Sequence, residues 1–157
     1  MPSPYFFPLL FISIFVLYLS YTPNTNMAQS NGASASDNTP KNVFGQALQL
    51  FSKQPMTGFY RDGYCRVGAS DMGNHAVAGI VTDEFLDYSA SQGNDLRVAG
   101  LSEGCKWCLC AGRWKEALDA FKEGKISKNG VPKVHLEATA QTALRKVDLK
   151  DLEEFKA

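Results

Sequence analysis

Apolar and polar positions divide the chain into an apolar start, a polar stretch and a long patterned body. Residues 5–21 form an almost unbroken apolar run of 17 residues. That is longer than a signal-peptide core and shorter than a full membrane-spanning helix. No Lys or Arg precedes the run, Pro8 interrupts it, and no clean small-x-small cleavage site follows. Three readings stand: a signal peptide, a membrane anchor, or an extension of no structural meaning upstream of a true start at Met27, the last narrowly favoured. From Met27 to residue 41 the chain is rich in Ser, Asn and Gly and reads as a flexible polar linker. Residues 42–157 carry the pattern of one folded domain.

Within that body, residues 42–52 hold apolar side chains without a clean period, as an edge strand or an irregular lead-in would. The Asp62-Gly63 pair, set between aromatic and β-branched residues in 57–67, predicts a β-hairpin, because both central turn positions favour positive φ. Residues 76–81 (AVAGIV) read as a short buried strand. Thr82 is a good N-cap, and Asp83 and Glu84 suit the positive end of a helix that Gly93 would stop. Residues 107–110 have strand character. Trp114, Ala117, Leu118 and Phe121 recur at helical spacing through 113–123. Residues 133–137 alternate as a strand, and 139–147 and 148–155 read as two closing helices, the second with Asp148 and Asp151 placed as in a capping box. Strands mixed with helices at irregular spacing predict an α+β domain with a small mixed sheet, a β-hairpin and three to four helices.

Charge narrows the possible partners. All sixteen acids and sixteen bases lie from Asp37 onward, and they cancel. A neutral chain without a basic face offers no electrostatic pull to nucleic acid, and a membrane would be met only through residues 5–21 if these are retained. Lys122, Lys125, Lys128 and Lys133 are broken up by Glu123, Gly124, Asn129 and Pro132 and read as a solvated loop. A start at Met27 favours the cytoplasm; the signal and anchor readings would instead place the chain in the secretory pathway or on a membrane.

The candidate chemistry centres on four cysteines, three of them within Cys105-Lys106-Trp107-Cys108-Leu109-Cys110. Closely spaced thiolates are soft ligands for zinc or copper, so Cys105, Cys108 and Cys110 form a candidate half-site, with a fourth ligand from Cys65, His75 or His135, although the second knuckle of a zinc motif is missing. Cys105 and Cys108 also have the spacing of a redox pair, but such pairs sit at helix N-termini and this one leads into a strand. In an oxidising compartment, Cys65 joined to one of the cluster is the favoured disulfide. The plain alternative is thiols packed as small hydrophobes. A nucleophile needs a neighbouring base, and Cys65 with His75 is one such couple; His135 reads as a strand-face residue. Arg61, Asp62, Asn94, Asp95 and Arg113 could line an anion or small-ligand pocket with His75. Asp62-Gly63 and Gly93-Asn94-Asp95 equally serve turns and caps.

Six blocks occur in order: TGFYRDGYC (57–65), DMGNH (71–75), TDEFL (82–86), GNDL (93–96), WCLCA with Arg113-Trp114 (107–114), and LEAT (136–139). Together they closely resemble the domain of unknown function 2237 family, small and mainly bacterial proteins, over residues 42–155. The resemblance implies a stand-alone α+β domain, usually without a signal peptide, and it implies no activity. Carried over by position, the family's polar residues are Arg61, Asp62, Cys65, His75, Asn94, Asp95, Cys108, Cys110 and Arg113. The chain departs from the family pattern in a shortened loop at 97–101, in Ala78 where Cys is frequent, and in Cys105 where an acid is typical. Cys105 therefore looks incidental, which weakens the redox-pair reading and leaves Cys65, Cys108 and Cys110 as the candidate metal-ligating thiols. The expectation is a small-ligand or metal-binding domain with a polar Arg/Asp/Cys/His site. A non-catalytic interaction module and a thiol-redox protein are the alternatives, and whether the chain is an enzyme stays open.

Overall fold

In the computed structural model, the residues described are Met1 and 39–157. The apolar run at 5–21, the start at Met27 and the linker up to residue 38 lie outside them. Residues 39–157 belong to one unit.

The centre of that unit is β1 (Val77–Ile80), whose first three residues are buried. A strand covered on both faces reads as a continuous apolar run rather than an alternation, and AVAGIV is such a run. On one side it pairs antiparallel with β2 (Lys106–Leu109), Val77 opposite Leu109; on the other with β3 (Lys133–Val134), Gly79 opposite Val134. The order β2-β1-β3 makes a three-stranded antiparallel sheet, joined at its margin by an isolated parallel bridge from Val134 to Lys156. The domain is α+β, as its pattern predicts.

Between β1 and β2 runs α1 (Asp83–Ser91), which buries Phe85, Leu86 and Ser89. Thr82 Oγ1 accepts a hydrogen bond from Phe85 N at 3.1 Å and caps it. β2 runs directly into α2 (Ala111–Lys122), which buries Ala111, Trp114, Ala117, Leu118 and Ala120. Trp114 anchors the core. It has no exposed surface, its Nε1 donates to Pro132 O at 2.9 Å, and its ring meets Phe155 edge-on at 5.8 Å. Burial of that size with a satisfied polar tip makes a Trp→Ala change cost about 3–5 kcal/mol. A final helix, α3 (Leu149–Glu154), seats Leu152 in the same core.

Four expectations need correction. Residues 57–67 form turns, not a strand pair. Their backbone bonds go elsewhere: Gly63 O accepts from Phe51 N and Ser52 N, and Gly63 N donates to Thr57 O. Asp62 uses its side chain on Tyr64 N, at 3.1 Å. The strand expected over 133–137 stops at Val134: His135 N still donates to Ala78 O, the next position of the ladder, but Leu136–Ala138 coils into a 3₁₀ turn. Residues 141–145 likewise form a 3₁₀ rather than an α-helix. Asp148 stands at the N-cap of α3 but makes no side-chain capping bond.

Candidate functional site

The β1–β2 register decides which side chains meet. With Val77 opposite Leu109, the residues preceding β1 come alongside those that follow β2. Asn74 O accepts hydrogen bonds from Ala76 N at 2.7 Å and from Ala111 N at 3.0 Å. The 71–75 turn is thereby fastened to the first residue of α2. Asn74 itself takes φ 50°, a left-handed conformation that Asn tolerates better than most residues.

The turn delivers His75 to Cys110. His75 Nδ1 lies 2.6 Å from Asp71 Oδ1, and His75 N donates to Asp71 Oδ2 at 3.0 Å. The Asp71 side chain has no exposed surface, whereas His75 is about one-third exposed at 35%. Cys110 borders the same small cavity as His75. Its proximity to the ring, followed by the Asp71 carboxylate, outweighs the opposing effect of burial and lifts the His75 pKa from 6.5 to about 9. His75 is therefore an imidazolium at neutral pH. His135 goes the other way, lowered first by burial and then by the Lys106 charge.

Cys110 is the N-cap of α2 and makes no side-chain capping bond. Space for the couple comes from Gly73. A Cβ at that position would stand 2.6 Å from His75 Cε1 and 3.1 Å from Cys110 Sγ.

The other cysteines divide differently from any sequence reading of a metal set. Cys65 and Cys108 are joined in a disulfide spanning 43 residues, so Cys65 is not the partner of His75, and two of the three thiols considered as soft ligands are bonded to each other. A disulfide sulfur offers no thiolate. Among the described residues, no group of three or more His, Cys, Asp or Glu is arranged to hold a metal ion. Cys105 and Cys110 are free thiols, both half-buried. The C-x-x-C redox pairing is absent because Cys108 is already committed to Cys65.

Three openings surround the couple. A groove of about 720 Å³ between α1 and α2 ends at Gly73, Cys110, Gly112 and Arg113. A small cavity of about 60 Å³ lies between His75, Asn94, Trp107, Cys110 and Arg113. A third, of about 140 Å³, is bounded by Phe59, Arg61, His75, Trp107 and Cys108.

Arg61, His75, Asn94, Arg113, Cys108 and Cys110 thus line connected or neighbouring spaces. Asp62 and Asp95 do not join them. Asp62 bonds Arg66 Nε at 2.5 Å. Burial pushes its carboxyl up, but Arg66 and the Tyr64 N–H more than offset this and hold it below the usual range. Asp95 Oδ1 caps the 96–99 turn by accepting from Arg97 N at 3.0 Å. Arg113 pairs with Glu116 at 2.8 Å.

Residues 41–156 match the family model described as an uncharacterized protein conserved in bacteria, DUF2237. The chain belongs to this family. No curated protein matches it. In this DUF2237 domain the polar blocks of the sequence do converge in part, but the two residues that complete the arrangement, Asp71 and Gly73, were not among the candidates. Their signal was present in DMGNH: an acid four residues before a histidine, with Gly and Asn between them to turn the chain back.

Proposed function

We propose that this domain is a thiol-dependent small-molecule enzyme in which Cys110 is the nucleophile, His75 its proton partner and Asp71 the positioning residue. The observation that carries the reading is the series Asp71–His75–Cys110, a buried carboxylate holding an imidazole that in turn meets a half-buried thiol. Carboxylate, imidazole and nucleophile in that order define a nucleophilic site by role rather than by sequence position. The chemistry it supports is acyl transfer. The Cys110 sulfur, its proton passed to His75, attacks the carbonyl carbon, forming the S–C bond. The bond to the leaving group breaks, and the His75 proton passes to that group. Water then attacks the thioester and gives one proton to His75, the S–C bond breaks to release the acid, and His75 returns that proton to the Cys110 sulfur.

The groove of about 720 Å³ that ends at Cys110 and Gly112 is of the size that takes small ligands. A second reading, thiol–disulfide exchange, draws on the Cys65–Cys108 disulfide, because Cys108 lines two of the cavities that His75 lines. A metal held by Cys65, Cys108 and Cys110 is confined to the reduced chain.

The test compares Cys110 with Cys105, two half-buried thiols in one molecule. Iodoacetamide at neutral pH, followed by peptide mass analysis, is expected to label Cys110 at least about tenfold faster. His75→Ala should remove that advantage. With p-nitrophenyl acetate, the wild-type chain should gain one acetyl group on Cys110 and Cys110→Ser should gain none. Equal labelling of the two thiols, with no acetyl adduct, would end the proposal.

A further inference from the structure

The cavity of about 140 Å³ on the Arg61 side of His75 has a construction that the acyl-transfer reading leaves unused. Its basic wall is Arg61, which holds φ 53°. For a bulky L-residue this left-handed conformation is strained, and such strain persists where the surroundings over-determine it. Here they do. Gly58 O accepts from Arg61 N at 3.0 Å, Thr57 Oγ1 accepts from Cys108 N at 2.7 Å, and the disulfide ties Cys65 to the same β2 residue. The turn is clamped to β2 on both sides of Arg61.

The clamp presents the guanidinium over the Trp107 ring, 4.8 Å from its centroid. One of its five donors is used, NH1 to Met56 O at 3.3 Å. Arg66, Arg97 and Arg113 each pair with a carboxylate, and among the described residues Arg61 does not. The remaining walls are mostly flat rings. Phe59 stacks on His75 with centroids 6.2 Å apart and planes at 21°, and Trp107 lines the same cavity. The volume equals about four or five water molecules, room for a carboxylate and a few further atoms.

We infer that this cavity is a subsite for the carboxylate of a small organic acid, held by Arg61 with the flat part of the ligand against the rings that line it. A guanidinium fork matches a carboxylate in two parallel hydrogen bonds, and an aromatic floor beneath it suits a planar body. The inference deepens the Cys110 reading and rests on it for one point only, the substrate class: a small acid derivative carrying its own carboxylate. Binding itself does not depend on that reading.

Benzoate titrated into the full oxidised chain tests it, with the two indole N–H resonances as readouts. Trp107 borders the cavity, and the buried Trp114 serves as the internal control. A saturable shift at Trp107 with none at Trp114 is expected, weakened about tenfold or more in Arg61→Gln. No saturable shift, or the same affinity in Arg61→Gln as in wild type, would overturn the subsite. So would loss of binding in Arg113→Gln alone, which would move the acid to the α2 side, or inorganic phosphate competing as well as benzoate. Because none of these readouts uses Cys110, inert labelling of that thiol removes the catalytic reading and leaves this outcome separate.

Discussion

The Nδ1 atom of His75 lies 2.6 Å from the Oδ1 of Asp71, whose side chain is wholly enclosed while the histidine reaches solvent. A carboxylate four residues earlier in the chain thus holds the ring through Nδ1. Asp71→Asn keeps the shape and removes the charge. The His75 pKa should then fall from about 9 towards 6.5, as read from the imidazole proton shifts during an NMR pH titration. An unchanged midpoint would remove Asp71 from the arrangement.

The same shift sets a pH window for stability. A histidine whose pKa is raised on folding contributes stability fully below its unfolded value and loses it as pH climbs through the folded one. For His75 the contribution is complete below about 6.5 and is lost on approaching and passing about 9. Urea unfolding at pH 6, 8 and 10 should show a decline in wild type that is smaller in His75→Gln. Parallel curves for the two proteins would contradict the assignment.

Gly73 is expected to be sensitive for a reason that backbone freedom does not explain. A methyl there meets His75 Cε1 at 2.6 Å and Cys110 Sγ at 3.1 Å, so the ring or the sulfur must move. Gly73→Ala should cost about 1–3 kcal/mol of stability and slow Cys110 alkylation while leaving Cys105 unaffected. Peptide mapping after iodoacetamide treatment decides it.

The Cys65–Cys108 bond closes a loop with a separation of 43 residues, for which chain-entropy arguments give about 4 kcal/mol at most. The paired variant Cys65→Ser, Cys108→Ser should lose about 2–4 kcal/mol in denaturant unfolding. It should also weaken benzoate binding, because Arg61 loses one side of its clamp. A variant that matches wild type in both measurements would show that the hydrogen bond from Cys108 N to Thr57 suffices.

Much of the frame was legible from local pattern. The uninterrupted AVAGIV run, the Thr82 cap and the spacing of Trp114, Ala117, Leu118 and Phe121 each specify an element with no reference to the rest of the chain. The 57–67 segment misled because Asp62-Gly63 is a turn signal, and a turn becomes a hairpin only if its flanks pair with each other; here Gly63 O serves Phe51 and Ser52. Asp62 and Asp95 likewise sit at turns, where their residue types serve equally as caps or as ligands. The Asp71–His75–Cys110 series was out of reach for a different reason. It depends on Val77 standing opposite Leu109, and strand register is a long-range property that spacing along the chain does not carry. Choosing Cys108 rather than Cys110 for Cys65 has the same origin.

That choice of partner makes the chain's chemistry a matter of where it resides. Disulfides persist in oxidising surroundings and are kept reduced in the cytosol of most cells. Exported, the domain would carry two free thiols, Cys105 and Cys110, with Arg61 braced above Trp107. Held in a reducing compartment, it would carry four thiols and a 57–67 turn with one brace fewer. One gene product would then serve as two proteins, distinguished by the address to which it is delivered.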